Sequence, residues 1–254
     1  MNGIFYKYPL SIFLAAFALQ CAAAFLGDYI RRRNVSLKET TQKDFGTILP
    51  AALTLLALII GFSFSLASGR YDMRKTLEEA EANAIGTEYV RADLLPPAAA
   101  AQLRGLLVQY TRQRILFYQT TDARQLAQVA IARAALQNKL WMAVTAPALA
   151  APTPVSALVV AGMNDVLNSQ GYTQAAWWNR LPVGAWDLLL LVAVASNFLF
   201  GFSERRDGRL TLILLPLIVS VPIFLIADID APRGGLIHVV PQNLEALMAG
   251  LEAK

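Results

Sequence analysis

Charge is all but missing from four long stretches of this 254-residue chain and is crowded between them. Only 16% of the residues are charged, against about a quarter in an average soluble domain. The remainder is strongly apolar, at 56% hydrophobic residues and a mean hydropathy of +0.45. Cysteine is nearly absent. Cys21 stands alone inside an apolar block, which excludes an intrachain disulfide. The one histidine, His238, follows the last apolar block with no cysteine near it, so a metal centre or catalytic triad has nothing to build on and surface placement is expected. No P-loop, dinucleotide fingerprint or G-x-S-x-G elbow occurs. The sequence therefore offers no catalytic set and requires no cofactor. Strand-period alternation and internal repeats are missing too, which leaves an all-α chain.

The four apolar blocks are long enough to cross a bilayer, which takes about 20 mostly apolar residues. They cover residues 9–27, 47–67, 182–200 and 210–227, with Asp187 near the start of the third as the one charge within them. The first is followed by Asp28 and Arg31, Arg32 and Arg33, the reverse of a cleaved signal peptide, whose basic cluster comes first. The fourth contains Pro216 and Pro222, which membrane helices tolerate where neighbours re-satisfy the backbone. Trp177, Trp178 and Trp186 around the start of the third are expected to form an interfacial belt. The net charge is +4. It resides largely in Arg and Lys beside the apolar blocks and not in a basic stripe with interleaved aromatics, so lipids are expected partners and nucleic acid is not. Four spans put both termini on the side of the long insertion. The short loops carry Arg31, Arg32, Arg33, Lys38, Lys43, Arg205, Arg206 and Arg209. Opposite them stand Lys7, Arg70, Arg74, Lys75, Arg180 and Arg233. Eight against six favours short loops inside and the insertion outside.

The chain thus divides into residues 1–69 with spans one and two, a helical extramembrane region 70–181, spans three and four in 182–227, and a C-terminal segment 228–254. The helix of span two is expected to run out of the membrane without a break until Pro96 and Pro97 stop it. A second helix presents Leu103, Leu106, Leu107, Tyr110 and Phe117 on one face. Thr121-Asp122 caps a third, ending near Thr145. Ala148 to Pro154 reads as a connector, and a fourth helix runs from about Val155 to Ser169, with Gly171 as its breaker. So little amphipathic helix is a thin basis for an independent core, so packing on neighbouring subunits is expected.

Two faces of the second helix invite function. Thr47, Ala51, Thr54, Leu58, Gly61, Ser65 and Ser68 recur every three or four residues as a small, hydroxyl-rich stripe. Such a stripe serves close helix packing. Repeated around a symmetric ring it instead lines a pore, with Leu58 and Phe62 as an apolar constriction that gates by dewetting. Further along, Glu78, Glu81 and Glu88 share a face with Asp72 about two turns earlier. Carboxylates so spaced can bind a divalent cation, or form a face paired with Arg74, Lys75 and Arg91. Asp187, Asn197 and Asp228 are polar groups near membrane depth and read as structural.

The run Gly61-Phe62-Ser63-Phe64-Ser65-Leu66, followed by Arg70-Tyr71, resembles the second helix of bestrophin anion channels. The chain as a whole is more similar to the bacterial bestrophin-like family. Glu81-Ala82-Asn83-Ala84-Ile85-Gly86, Tyr89, Arg91 and Asp93-Leu94-Leu95-Pro96 match that family's opening of the insertion. Asn164-Asp165 and Arg180-Leu181-Pro182 match its approach to span three. Gly201-Phe202, Asp228-Ile229-Asp230, Pro232-Arg233-Gly234-Gly235-Leu236-Ile237 and Val239 match its end. The resemblance covers nearly the full length after span one. It implies a homo-pentameric anion channel in the bacterial inner membrane with the insertion cytosolic, opposite to the charge count. It also implies a neck of three apolar side chains spaced by four. Those positions here are Thr54, Leu58 and Phe62; Thr54 departs from the apolar pattern and leaves two rings. The acidic calcium clasp of animal bestrophins has no counterpart.

Two functions follow. In the first, span two lines a pore for small anions, Thr54 and Ser65 offer hydroxyls, and Arg70 and Arg74 raise anion concentration at the mouth. Snorkelling, or pairing with Asp72, is the other use of those arginines. In the second, a non-conducting scaffold or sensor binds a partner or envelope component through its extramembrane helices. An enzyme on lipid substrates lacks a catalytic set.

Overall fold

The computed structural model describes residues 9–33, 39–203 and 210–253, over 39–44 as backbone alone. Lys7, Lys38, Arg205, Arg206 and Arg209 of the charge count, and the side chain of Lys43, lie outside the described residues. The described chain is helical, in the order α1 (Pro9–Arg33), α2 (Glu39–Arg91), a short 3-10 turn (Ala92–Leu94), α3 (Pro97–Gln119), α4 (Ala123–Ala150), α5 (Pro154–Trp178), α6 (Val183–Ser203), α7 (Thr211–Asp230) and α8 (Gln242–Glu252). Four helices are long and apolar enough to cross a membrane. The residues form two compact units: one takes the chain to Tyr71 together with Arg180–His238, the other Asp72–Asn179 and the chain from Val239.

In the first unit α1 packs on α6 and α7. The sequence permits this because α1 buries a narrow strip of Ala16, Gln20, Ala23, Ala24 and Gly27, small residues that let membrane helices approach to backbone contact. The approach is closest at two glycines. A Cβ on Gly201 would strike the carbonyl oxygen of Ala24, and one on Gly27 would strike that of Phe198. Beside this crossing lies a fully buried polar contact. Asn197 donates from Nδ2 to Gln20 Oε1 at 2.9 Å, and Gln20 donates from Nε2 to Ser220 Oγ at 3.0 Å. Each such bond contributes about 0.6 to 2 kcal/mol in a membrane, and together they set the register of α1, α6 and α7. The apolar core is completed by Leu56, Leu189, Val219, Ile223 and Ile226. Two aspartates close the end of α7. Asp230 accepts the Leu181 N–H, and Asp228 accepts those of Leu236 and Ile237 at 2.7 and 2.8 Å. Gly235 is required there because a Cβ would meet the Asp228 carbonyl oxygen, so the Gly-Gly turn serves tight packing within the chain.

In the second unit the extension of α2 runs unbroken to Arg91, and α3, α4, α5 and α8 pack beside one another. Asp122 caps α4 by accepting the N–H groups of Arg124 and Gln125. Two helix ends differ from the sequence reading. α4 runs through Pro147 to Ala150, since a proline in the last turn forfeits only one backbone bond. α5 begins at a Thr153–Ser156 capping box and passes Gly171 to reach Trp178. The penalty of about 1 kcal/mol for a helical glycine is offset by buried Gln170, Thr173 and Trp177 on either side. Trp177 accordingly belongs to a core, stacked edge-on against Phe117 and Tyr118. Trp186 is also buried, in the first unit, so of these three Trp178 alone is exposed as an interfacial belt requires. The C-terminal segment supplies α8, whose Leu244, Met248 and Leu251 are buried.

Candidate pore-lining helix and the charged face beyond it

α2 has two faces over its apolar length. Leu56, Ser63 and Ala67 are buried against the first unit. Thr54, Leu58, Gly61, Phe62 and Ser65 all lie on the opposite, exposed face, with Leu58 53% and Phe62 63% accessible. Only 6% of the apolar stretch of this helix is buried inside the chain, against 50% for α7. The stripe read from the sequence is therefore the uncovered face. The hydroxyl of Thr54 donates to the Pro50 carbonyl oxygen at 2.8 Å, so it meets an anion only by giving up that bond. The Ser65 hydroxyl is exposed and has no such partner among the described residues.

The two arginines past the span part company. Arg70 is half-buried and donates from Nη1 to the Leu66 carbonyl oxygen at 3.3 Å. Arg74 is 1% exposed, and its guanidinium donates to the Ala176 and Asn179 carbonyl oxygens at the C-terminal end of α5. A cation there satisfies carbonyls that have no helical partner and complements the helix dipole. Arg74 is thus a clamp inside the second unit and not a charge at a pore mouth; Arg70 alone remains for that role.

The acidic face is buried, and each carboxylate has its own surroundings. Glu78 receives the Leu244 N–H at 2.9 Å and Asn243 Nδ2 at 2.6 Å, holding the start of α8. Glu81 forms a side-on pair with Arg114 of α3 through Nε and Nη2 and takes the Thr173 hydroxyl at 3.2 Å. Among the described residues no three metal-ligating side chains come together, and the three glutamates do not converge on one point. Lys75 and Asp72 are exposed at the head of this face. Arg114 is the functional residue missed from the sequence. It falls on the same α3 stripe as Tyr110 and Phe117, and an arginine amid an apolar stripe is the signal of a buried ion pair.

Glu88 lies about six helical turns past Ala67 on the extension of α2. It is fully buried, and neither carboxylate oxygen has a hydrogen-bond partner. Gly162 of α5 makes room for it, since a Cβ there would overlap Glu88 Oε2 and Arg91 Nη1. Burial raises its pKa to about 8; Arg91 opposes the rise and Asp165 adds to it. The protonated form is therefore favoured by folding. That contribution is complete below the unfolded value near 4.5 and is lost as pH climbs through about 8. The melting temperature of the full chain is expected to fall between about pH 5 and about pH 8, and Glu88→Gln to flatten this decline. A slope unaltered in the variant would assign the effect elsewhere.

His238 is exposed on a non-helical segment, as its sequence context suggested. Four helices long and apolar enough to cross a membrane, with a helical unit between the second and third, define a multi-span helical membrane protein. The family model for the Bestrophin-like domain matches residues 14–244, and the chain belongs to that family. No curated protein matches it. Among solved structures, a tryptophan-to-alanine variant of a bacterial bestrophin homolog from Klebsiella pneumoniae is similar over 100% of this chain and 97% of its own, at 14% identity and a TM-score of 0.68. A further crystal structure of a Klebsiella pneumoniae bestrophin homolog, phased by zinc anomalous scattering, gives 15% identity, 94% and 95% coverage and a TM-score of 0.64. At such identities the likeness is one of fold.

Proposed function

We propose that the chain forms a homo-pentameric, anion-conducting channel in the bacterial inner membrane, with α2 of each copy facing the central axis. One observation carries this reading: the apolar span least covered within the chain exposes a face of small and hydroxyl-bearing residues, Thr54, Gly61 and Ser65, interrupted by Leu58 and Phe62. A lipid-facing surface gains nothing from glycine and hydroxyl groups, whereas close packing or an aqueous lining does. In a ring, Leu58 and Phe62 form two successive apolar constrictions one turn apart, narrow enough to lose water and so to gate. Ser65 meets the ion beyond them, and Arg70 raises the local anion concentration.

The test is single-channel recording in planar bilayers. Phe62→Ala and Leu58→Ala are each expected to increase unitary conductance or relax selectivity among anions. Unchanged currents in both variants would reject the gate, and no current from the parent would reject conduction. The second reading, a scaffold that binds a partner through its extramembrane helices, rests on an open groove of about 830 Å³ where α4 meets α5, lined by Trp141, Leu149, Pro152 and Val160. It expects no current and sensitivity to substitution on α4 and α5.

A further inference from the structure

Within the second unit α5 lies along the extension of α2 and meets it at successive levels. At the first, Arg74 donates to the Ala176 and Asn179 carbonyl oxygens at 3.3 and 3.2 Å. At the next, the Thr173 hydroxyl donates to Glu81 at 3.2 Å. Further along, Glu88 and Arg91 press against Gly162. Residue numbers rise on α2 as they fall on α5, so the two helices run antiparallel. The Glu88 contact therefore holds the N-terminal half of α5, and Arg74 and Glu81 hold its C-terminal half.

The Glu88 level is built differently from the others. Arg74 and Glu81 are ions with hydrogen-bond partners. Glu88 is fully buried, and neither of its carboxylate oxygens accepts a hydrogen bond. Its place exists because residue 162 has no side chain: a Cβ there would overlap both Glu88 Oε2 and Arg91 Nη1. Those two atoms converge on one point of α5, yet Arg91 donates nothing to the carboxylate. A carboxylate offers about four acceptor sites. Burying it ionised with all of them empty is strongly disfavoured, and the neutral acid suffers far less. The other charges nearby do not relieve this. Asp165, three residues past Gly162 on α5, is exposed and adds repulsion. Asp93 of the 3-10 turn pairs with Arg104 of α3. α8 meets this part of α2 through the apolar Leu247, against Gly86. Burial leads, Arg91 opposes it, Asp165 adds to it, and the pKa stands at about 8.

We propose that Glu88 is a proton-operated latch between α2 and the N-terminal half of α5. Protonated, it lets α5 close on α2 at Gly162. Ionised, it needs donors that the closed contact does not supply, and Gly162 moves off to admit water. The Arg74 and Thr173–Glu81 contacts hold the C-terminal half of α5 and act as the hinge. The latch lies within the second unit and does not rest on the pore reading. Between the ordinary carboxyl value near 4.5 and the closed value of about 8, each opening releases one proton. The open fraction therefore rises about tenfold per pH unit from about pH 5 to about pH 8 and is level above that.

The test is hydrogen exchange of the full chain in detergent, read by mass spectrometry from about pH 5 to above pH 8 and corrected for the chemical exchange rate. Peptides from 154–166 are expected to lose protection with that slope, while peptides from 169–178 keep theirs. Glu88→Gln, which has no proton to lose, should abolish the slope. A flat profile in the parent would show that Arg91 neutralises the acid in place and would overturn the latch. So would the same slope in Glu88→Gln, or a slope shared equally by both halves of α5. Should Glu88→Gln fail to fold, the contrast between the two halves in the parent decides alone.

Discussion

Replacing Glu81 by alanine is expected to destabilise the second unit by about 3–5 kcal/mol, the cost of removing one partner from a buried ion pair. Both members of the pair are at most 1% exposed in their side chains. The Arg114 guanidinium also lies over the Phe117 ring at 4.5 Å and near Tyr118. Without Glu81 it keeps those aromatic contacts but has no counter-ion, and it cannot shed its charge because guanidinium stays protonated. Glu81→Gln preserves shape and removes charge, so it should also destabilise, by less than Glu81→Ala. The double replacement Glu81→Met with Arg114→Met should recover much of the loss, because a well-packed apolar pair avoids desolvating two ions. Thermal unfolding of the full chain followed by near-UV circular dichroism measures all three. A melting temperature for Glu81→Ala equal to that of the parent would show that the pair contributes nothing.

The second large effect is expected at Gly201. Its Cβ position falls on the backbone of Ala24, which cannot rotate aside as a side-chain tip would. Gly201→Leu therefore separates α1 from α6, breaks the Asn197–Gln20 bond beside the crossing and opens voids around Ala23 and Ala24. Overpacking typically costs 1–3 kcal/mol, and a collision with backbone belongs at about the upper limit. Gly184 provides the control. It sits in the first turn of the same helix with nothing within 4 Å of its Cβ position, so Gly184→Ala should leave stability unchanged or slightly raised. Comparable loss of folded, monodisperse protein in both variants would remove the close crossing as the cause.

Much of this was legible in the sequence because bilayers impose a length and a composition. Four apolar blocks nearly free of charge announced the spans, and the absence of any breaker between Tyr71 and Leu94 announced the continuous α2. The helix ends were harder. Pro147 and Gly171 carry breaking propensities that tertiary contacts outweigh, and nothing local distinguishes such a glycine from one that ends a helix. α8 was overlooked, although Leu244, Met248 and Leu251 repeat at helical spacing, because the acid that holds its start, Glu78, comes from far away in the chain. The same holds for Glu81. Its spacing with Glu78 and Glu88 is visible, but whether such acids face water, a cation or an arginine depends on what α3 brings to them. Arg74 shows the limit most clearly. Its position after a span suggested a pore mouth, and only the packing of α5 turns it inward. Thr54, Leu58, Gly61, Phe62 and Ser65 of the α2 stripe are exposed within the single chain.

Single-particle imaging of the purified protein in lipid nanodiscs tests the central claim most directly. The account predicts a closed five-fold ring with Leu58 and Phe62 of every copy facing a continuous axial path. A monomer, a dimer, or a ring in which α2 turns this face to lipid would contradict it.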